Sequence, residues 1–512
     1  MTATDQPEEP QDSFIDATLA DGTLRGLVVD GVRTWRGVPY GVAARWKAPR
    51  PVRWEGVWPA DEYGPVAPQT TYTLKDEVVG EEDCLNLDVV RPDTEETLPV
   101  VVYLHGGGFF AGASHTAVLR GFNFSRQVNA VYVAVNFRLG VFGYLDMSSL
   151  GTPGSEDYEP NPALKDQLLA LRWVQENIAA FGGDPARVTL MGESAGGSAI
   201  GALLATPSAR GLFHRVILQS APVLTVHGPE QSKIWSRKLV EYAGLTPRTV
   251  SARDLESMSA GDLVRAGQQM LWRGRGLWEL NSCFGNTVDG RTLPEHPLTA
   301  FENANQHQVS MLIGTNDDEL SATQVLFFTK GKRAQAVRTM LEAHDPELAS
   351  QLAEAYGDVG KRQAFANLLS DAVFWAQSVR LADLQARSGN EVWMYRFDYA
   401  PALLRRLGVG AMHSMELSAL FGDASASKAR VLLGSDMDQV TAEMQGAWAR
   451  FIWGENPGWE RYTEATRATR IIERDSHTEY DPRRAHREAW ESFRMHGWMG
   501  EAEGIPLPRP GR

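Results

Sequence analysis

Apolar residues along this chain gather into a few nearly unbroken runs. Leu98-Pro99-Val100-Val101-Val102-Tyr103-Leu104 and Ala130-Val131-Tyr132-Val133-Ala134-Val135 contain no alternating polar positions. A strand with no polar side is covered on both faces, as in a mostly parallel sheet held between layers of helices. Arg215-Val216-Ile217-Leu218-Gln219 and Val309-Ser310-Met311-Leu312-Ile313-Gly314 carry a similar signal and predict later strands of the same sheet. From Asp166 to Ile178 the apolar residues recur at helical spacing instead. Strands alternating with helices predict an α/β fold.

One predicted strand-to-helix junction is unusual. Val188-Thr189-Leu190 runs into Met191-Gly192-Glu193-Ser194-Ala195-Gly196-Gly197, and small residues from Ser198 onward start a helix. Glycines two residues before and two after Ser194 relieve crowding at a sharp turn, so the spacing predicts an elbow that exposes the serine hydroxyl. Taken alone, it also describes an ordinary loop before a helix.

A serine hydroxyl is a poor nucleophile at neutral pH and needs a histidine base held by a carboxylate. Both types follow in the order expected for an α/β-hydrolase. After the predicted strand ending at Gly314, Thr315-Asn316-Asp317-Asp318-Glu319 gathers three acids; their pattern does not choose among them, and such clusters also cap helices. Gly408-Val409-Gly410-Ala411-Met412-His413 then sets a histidine in a glycine-flanked loop before the apolar run Leu417 to Phe421. Directly behind the first buried strand stands His105-Gly106-Gly107-Gly108-Phe109-Phe110. Consecutive glycines let backbone N–H groups converge on a developing oxyanion, and no lysine adjoins them as a phosphate loop would require.

Within 512 residues no linker, repeat or low-complexity tract divides the chain. The expectation is a disordered tail over 1–13 and a single domain over 14–512, with mainly helical insertions near 226–284 and 321–390. A net charge of -14 argues against nucleic acid and anionic membrane as partners. No apolar run approaches the roughly 20 residues of a membrane span, and the acidic stretch from Met1 to Pro10 lacks the apolar core of a secretory signal. With Cys84 and Cys283 the only cysteines, no CxxC spacing and no signal, the chain is expected to be reduced and cytoplasmic. Monomer and homodimer both stay open. Trp272, Trp278, Phe327, Phe328, Phe374 and Trp375 could line an acyl or alcohol pocket with Phe109 and Phe110, or could simply be core.

Over residues 14 to about 460 the chain resembles the type B carboxylesterase family of the α/β-hydrolase superfamily. The marks are Arg36-Gly37-Val38-Pro39-Tyr40, Arg45-Trp46-Lys47-Ala48-Pro49, Glu82-Asp83-Cys84-Leu85-Asn86-Leu87, the glycine loop from His105, Asn136-Phe137-Arg138-Leu139-Gly140, Phe181-Gly182-Gly183-Asp184-Pro185 and the elbow. Later come Val288-Asp289-Gly290, Gly314 with Asp318-Glu319, and Gly410 with His413, Glu416 and Phe421.

The resemblance implies an α/β-hydrolase fold, with Ser194 as nucleophile, Glu319 as acid and His413 as base. It puts the oxyanion donors on the amides of Gly107, Gly108 and Ala195, has Ser220 hydrogen-bond Glu319, and makes Arg45–Glu82 and Arg138–Asp166 fold-holding ion pairs. The implied activity is serine carboxylesterase chemistry on small to medium esters through an acyl-enzyme, which calls for no metal or organic cofactor. The same triad also suits an amide, carbamate or thioester, and a catalytically silent binding protein is the alternative of another class.

Three departures from the family pattern are informative. Ala67-Pro68-Gln69 stands where secreted relatives have a cysteine pairing with the equivalent of Cys84, so no disulfide is expected. No tryptophan lies between Thr70 and Asp83 to hold a choline cation, so choline esters are not the expected substrates. Leu320 and Ala221 replace glycines beside Glu319 and Ser220.

Overall fold

A thirteen-stranded sheet runs through the molecule from Ser13 to Tyr480. The computed structural model describes residues 13–71, 77–273, 282–325, 329–422 and 437–493. Its strands are β1 (Ser13–Thr18), β2 (Thr23–Val29), β3 (Val32–Pro39), β4 (Val57–Pro59), β5 (Asn86–Pro92), β6 (Leu98–Leu104), β7 (Val131–Val135), β8 (Gly183–Glu193), β9 (Arg215–Gln219), β10 (Ser310–Asn316), β11 (Val392–Phe397), β12 (Ala468–Ile472) and β13 (His477–Tyr480). Their spatial order is β1-β2-β3-β5-β7-β6-β8-β9-β10-β11-β12-β13, with β4 beside β2. From β7 to β12 every neighbouring pair is parallel. Antiparallel strands close both ends, β1, β2, β3 and β5 on one side and β13 on the other.

The unbroken apolar runs are explained by two cores, one on each face. Along β6, Val100, Val102 and Leu104 enter one core while Val101 and Tyr103 enter the other. Along β7, Val131, Val133 and Val135 join the first, and Tyr132 and Ala134 the second. Side chains alternate as the pleat requires, but neither side meets water, so both sets are apolar. Helices α2 (Pro162–Asn177), α3 (Ala195–Leu204) and α4 (Ala376–Arg387) supply the first core. The second is built with α1 (Phe122–Val128), α5 (Met415–Phe421) and α6 (Met437–Ile452).

The segments expected to be helical insertions carry helices Pro229–Tyr242, Ala252–Ser257 and Ala260–Arg273, then Lys330–His344, Ala349–Ala355 and Arg362–Ser370. A π-helical turn, Asp371–Trp375, joins the last of these to α4. Near the end of the described chain, α7 (Arg484–Ser492) packs against Ala349–Ala355 and α4. No described helix is long and apolar enough to cross a membrane. Residues 1–12 of the expected tail lie outside the described residues, and β1 starts at Ser13.

Both expected ion pairs form. Arg138 meets Asp166 through two bonds of 2.7 and 2.8 Å, with side chains only 3% and 0% exposed. The same guanidinium donates to the carbonyls of Ala44, Lys47 and Pro162, which satisfies a charge buried this deeply. Arg45 grips Glu82 and also donates to the carbonyls of Leu255, Glu256 and Met258, so it caps the end of Ala252–Ser257. Cys84 and Cys283 are both buried and free.

Candidate active site

The C-terminal ends of parallel strands face one way, and the loops that follow them gather where such sheets bind ligands. Ser194 follows β8, the glycine loop follows β6, the acidic turn follows β10, and the histidine loop lies between β11 and α5. At Ser194 the backbone has φ 55° and ψ −124°, a conformation that L-residues rarely adopt. Its N–H donates to Gln219 O at 2.9 Å, and α3 starts at the next residue. Both elbow glycines are required by contact. A Cβ on Gly192 would lie 2.7 Å from the carbonyl carbon of Gly196, and one on Gly196 would lie 2.0 Å from Leu104 O.

Ser194, His413 and Glu319 form one hydrogen-bonded line. His413 Nε2 is 3.0 Å from Ser194 Oγ, and His413 Nδ1 is 2.6 Å from Glu319 Oε2. The other Glu319 oxygen, Oε1, accepts the Asn316 N–H at 2.8 Å, and the His413 N–H donates to Glu319 O at 3.1 Å. Glu319 is buried, while Ser194 and His413 are half-buried.

The two neighbouring acids are engaged elsewhere. Asp317 pairs with Arg396 at 3.2 Å and with Arg483. Asp318 accepts the Ala411 N–H at 3.2 Å, and its own N–H donates to Ala411 O, so it ties the acidic turn to the histidine loop.

Gly107 and Gly108 both take positive φ, 109° and 61°, and a Cβ on Gly107 would lie 1.9 Å from Ala111 O. Among the described residues, the N–H groups of Gly107, Gly108 and Ala195 donate to no protein acceptor. His105 supports the glycine loop, its ring stacked on Phe137 at 4.6 Å and its Nδ1 2.8 Å from Gly106 O.

Ser220 departs from what the resemblance implied. Its hydroxyl is buried without a hydrogen-bond partner, and it makes no bond to Glu319. The residue is held at φ 47° with its N–H on Gly314 O, and Asn316 and His413 already serve the Glu319 carboxylate.

Two carboxylates join the site that residue-type reasoning did not single out. Glu193 Oε1 lies 3.2 Å from His413 Nε2 and accepts the Ser414 hydroxyl at 2.5 Å. Glu416, fully buried, accepts from Asn316 Nδ2 at 2.6 Å. The signal was present, since both sit inside the quoted motifs, but a glutamate beside a serine or in the first turn of a helix reads as an exposed residue until burial is known.

Burial opposes protonation of His413, yet Glu193, Glu319 and Glu416 outweigh it and push the imidazole up to about 10. Burial raises Glu193, and burial with the charges of Glu193 and Glu319 pushes Glu416 up to about 8. These two acids therefore hold protons at a pH where an ordinary glutamate has lost its own, and each proton held removes part of their pull on the imidazole.

Of the aromatic candidates, Phe374 stacks face-on to the His413 ring, with centroids 4.6 Å apart and planes at 27°. Trp375 lines a separate cavity of about 110 Å³ with Leu298 and Trp490. Phe109 is buried against Tyr144, and Phe110 lies 6.5 Å from Phe284. Trp278, Phe327 and Phe328 lie outside the described residues, and Trp272 is described only as part of helix Ala260–Arg273.

Comparison with known proteins follows the same lines. A family model described as the carboxylesterase family matches residues 11–490. A para-nitrobenzyl esterase of Bacillus subtilis is 35% identical over 485 residues, which cover 91% of this chain and 96% of that protein. A phenmedipham hydrolase of Pseudarthrobacter oxydans is 32% identical over 459 residues, covering 85% and 89%. A solved PNB esterase structure is similar at TM-score 0.82 and 33% identity, covering 93% of this chain and 99% of that one.

Proposed function

The chain belongs to the carboxylesterase family and is a carboxylic ester hydrolase of α/β-hydrolase fold, and from that premise we propose that it works as a serine esterase through Ser194, His413 and Glu319. In the first half-reaction Ser194 Oγ attacks the ester carbonyl while His413 Nε2 takes its proton. Glu319, bonded to Nδ1, holds the ring in the tautomer that leaves Nε2 free to accept, and it stabilises the imidazolium. The carbonyl oxygen becomes an anion received by the amides of Gly107, Gly108 and Ala195, whose N–H groups, among the described residues, are not spent on the protein. His413 returns the proton to the leaving alcohol. Water then enters, loses its proton to His413 and releases the carboxylic acid from the acyl-enzyme. Ser220 has no step in this scheme.

One observation carries the reading: the line from Ser194 Oγ through the imidazole to Glu319, with separations of 3.0 and 2.6 Å, beside a glycine loop that lies against Ser194. We read residues 14–512 as one catalytic unit, since a single sheet contributes every part of the site. The two free, buried cysteines favour a reducing, cytoplasmic setting.

The test uses p-nitrophenyl esters of graded acyl length beside matched amide, carbamate and thioester substrates. Esters should turn over with a burst of alcohol release from the acylation step. Ser194→Ala should lower kcat by about 10⁵- to 10⁶-fold while circular dichroism stays unchanged. Substantial turnover by that variant would move the nucleophile elsewhere. Failure on every activated ester would favour the silent binding protein instead.

A further inference from the structure

Arg483 lies outside every motif discussed above, in the Asp481-Pro482-Arg483-Arg484 stretch that opens α7. Its backbone is held at φ 59°, and its side chain is turned inward, 19% exposed. The guanidinium reaches two turns at once. Through Nη2 it donates to the carbonyl of Asp317 at 3.0 Å and also pairs with that residue's carboxylate. Through Nη1 it donates to Asp371 Oδ1 at 2.6 Å.

Both turns present a group to His413. Asp317 stands two residues before Glu319, which bonds the edge of the imidazole. Asp371 opens the π-helical turn that carries Phe374, which covers the face of the same ring. A π turn inserts an extra residue into a helix and persists only where its surroundings hold it. Here the fully buried Asp371 carboxylate takes three donors: Arg483, the Tyr356 hydroxyl at 2.6 Å and His486 Nδ1 at 3.0 Å. A further stitch runs directly between the turns, from Leu320 N–H to Ser370 Oγ at 2.9 Å.

We propose that Arg483 is a positioning residue for the esterase reaction: by cross-linking the Glu319 turn to the Phe374 turn, it sets the plane of the His413 ring. This rests on His413 being the base. An edge bond alone leaves an imidazole free to tilt about that bond, and a stacked face alone leaves it free to slide. Holding both partners in one frame keeps Nε2 aimed at Ser194 Oγ. Misplacing a proton-transfer group by a fraction of an ångström slows the chemical step, whereas substrate binding, which does not use the imidazole, is spared.

The experiment compares Arg483→Met with Arg487→Met. Arg487 is on the helix that Arg483 precedes, 8% exposed, and its ion pairs go to Asp481 and Glu491 rather than to a carboxylate of either turn. Kinetics are expressed per active site counted by a p-nitrophenyl phosphonate burst, so unfolded protein does not enter. Arg483→Met should lower kcat by about 10- to 100-fold with KM within about twofold, whereas Arg487→Met should lower the melting temperature and leave kcat within about twofold. Arg483→Lys, which keeps the charge but reaches only one turn, should fall between wild type and Arg483→Met, and it replaces the latter if Arg483→Met does not fold.

In a Phe374→Leu background the Arg483 substitution should cost markedly less, because part of what it positions is already gone. The proposal is overturned if kcat per titrated site is unchanged, if both arginine variants lower it equally, if KM alone moves, or if the Phe374 and Arg483 effects multiply independently. Turnover surviving in Ser194→Ala would instead remove the premise, and that outcome is read separately.

Discussion

Three consecutive acids, Asp317, Asp318 and Glu319, look interchangeable in a string of letters, yet the turn gives each a different partner. Asp317 faces two arginines, Asp318 faces the backbone of the histidine loop, and only Glu319 faces the imidazole. If Glu319 is the acid, Glu319→Gln should lower kcat by about 10⁴-fold, while Asp317→Asn should cost far less; steady-state kinetics on one p-nitrophenyl ester decide it. The reverse ranking would mean that the acid is misassigned. Glu193 supplies a second prediction at this scale. Its charge helps to raise the imidazole, so Glu193→Gln should lower the pKa of His413. A base that loses its proton more readily stays competent at lower pH, and the acid limb of kcat/KM should move downward; a profile over about pH 5 to 10 measures this. In the wild-type protein that limb should lie above the ordinary imidazole value of 6.5. The serine, the histidine and the glycine loop of the proposed site stood out in the sequence because few residue types suit such roles. Glu193 and Glu416 were not, because a glutamate's role changes entirely when it is buried, and burial is not written locally.

Elements divide the same way. The strands at the centre of the sheet were readable from their unbroken apolar runs: Leu98–Leu104 and Arg215–Gln219 have the expected bounds, and β10 differs only at its ends. The outer strands β1 to β3 were not marked, because one-sided burial interleaves charges such as Asp16, Arg25 and Arg33 among short apolar stretches. Helix α2 begins at Pro162, four residues before its periodic pattern shows, since proline suits the first turn, where no N–H is needed. The elbow was marked by glycines whose reason is contact with a neighbouring strand. Gly196→Ala should therefore destabilise by about 1–3 kcal/mol or more and depress kcat by moving the Ala195 amide. Gly331→Ala, inside helix Lys330–His344 where an added carbon meets nothing within 4 Å, should leave kcat unchanged and cost no stability. Thermal melts with activity on the same samples distinguish the two. Unchanged stability in Gly196→Ala would mean that the elbow yields more easily than its contacts imply.

At the scale of the whole molecule, buried polar ties join segments that the sheet does not. Arg138 and Asp166 lock the loop after β7 to α2 inside the core, where an unpaired charge has no solvent to turn to. Arg138→Met should cost about 3–5 kcal/mol in urea unfolding, and adding Asp166→Leu should recover a substantial part by removing the orphaned carboxylate. An additive second loss would show that the pair does not act as a unit. Arg483 is a tie of the same kind carried to the active site, and no local pattern announced it. What the chain's order of residues decided by itself was the layered α/β architecture, the elbow and the residue types proposed for acyl transfer, because periodicity and glycine spacing act between near neighbours. Spacing alone left three acids open and only the resemblance pointed to Glu319; tertiary structure sets Glu319 against the imidazole, withholds Ser220 from it, and brings side chains 219 and 94 positions apart to within hydrogen-bonding distance. Distances, shared protons and burial exist only between segments that meet in space, so only the folded chain can set them.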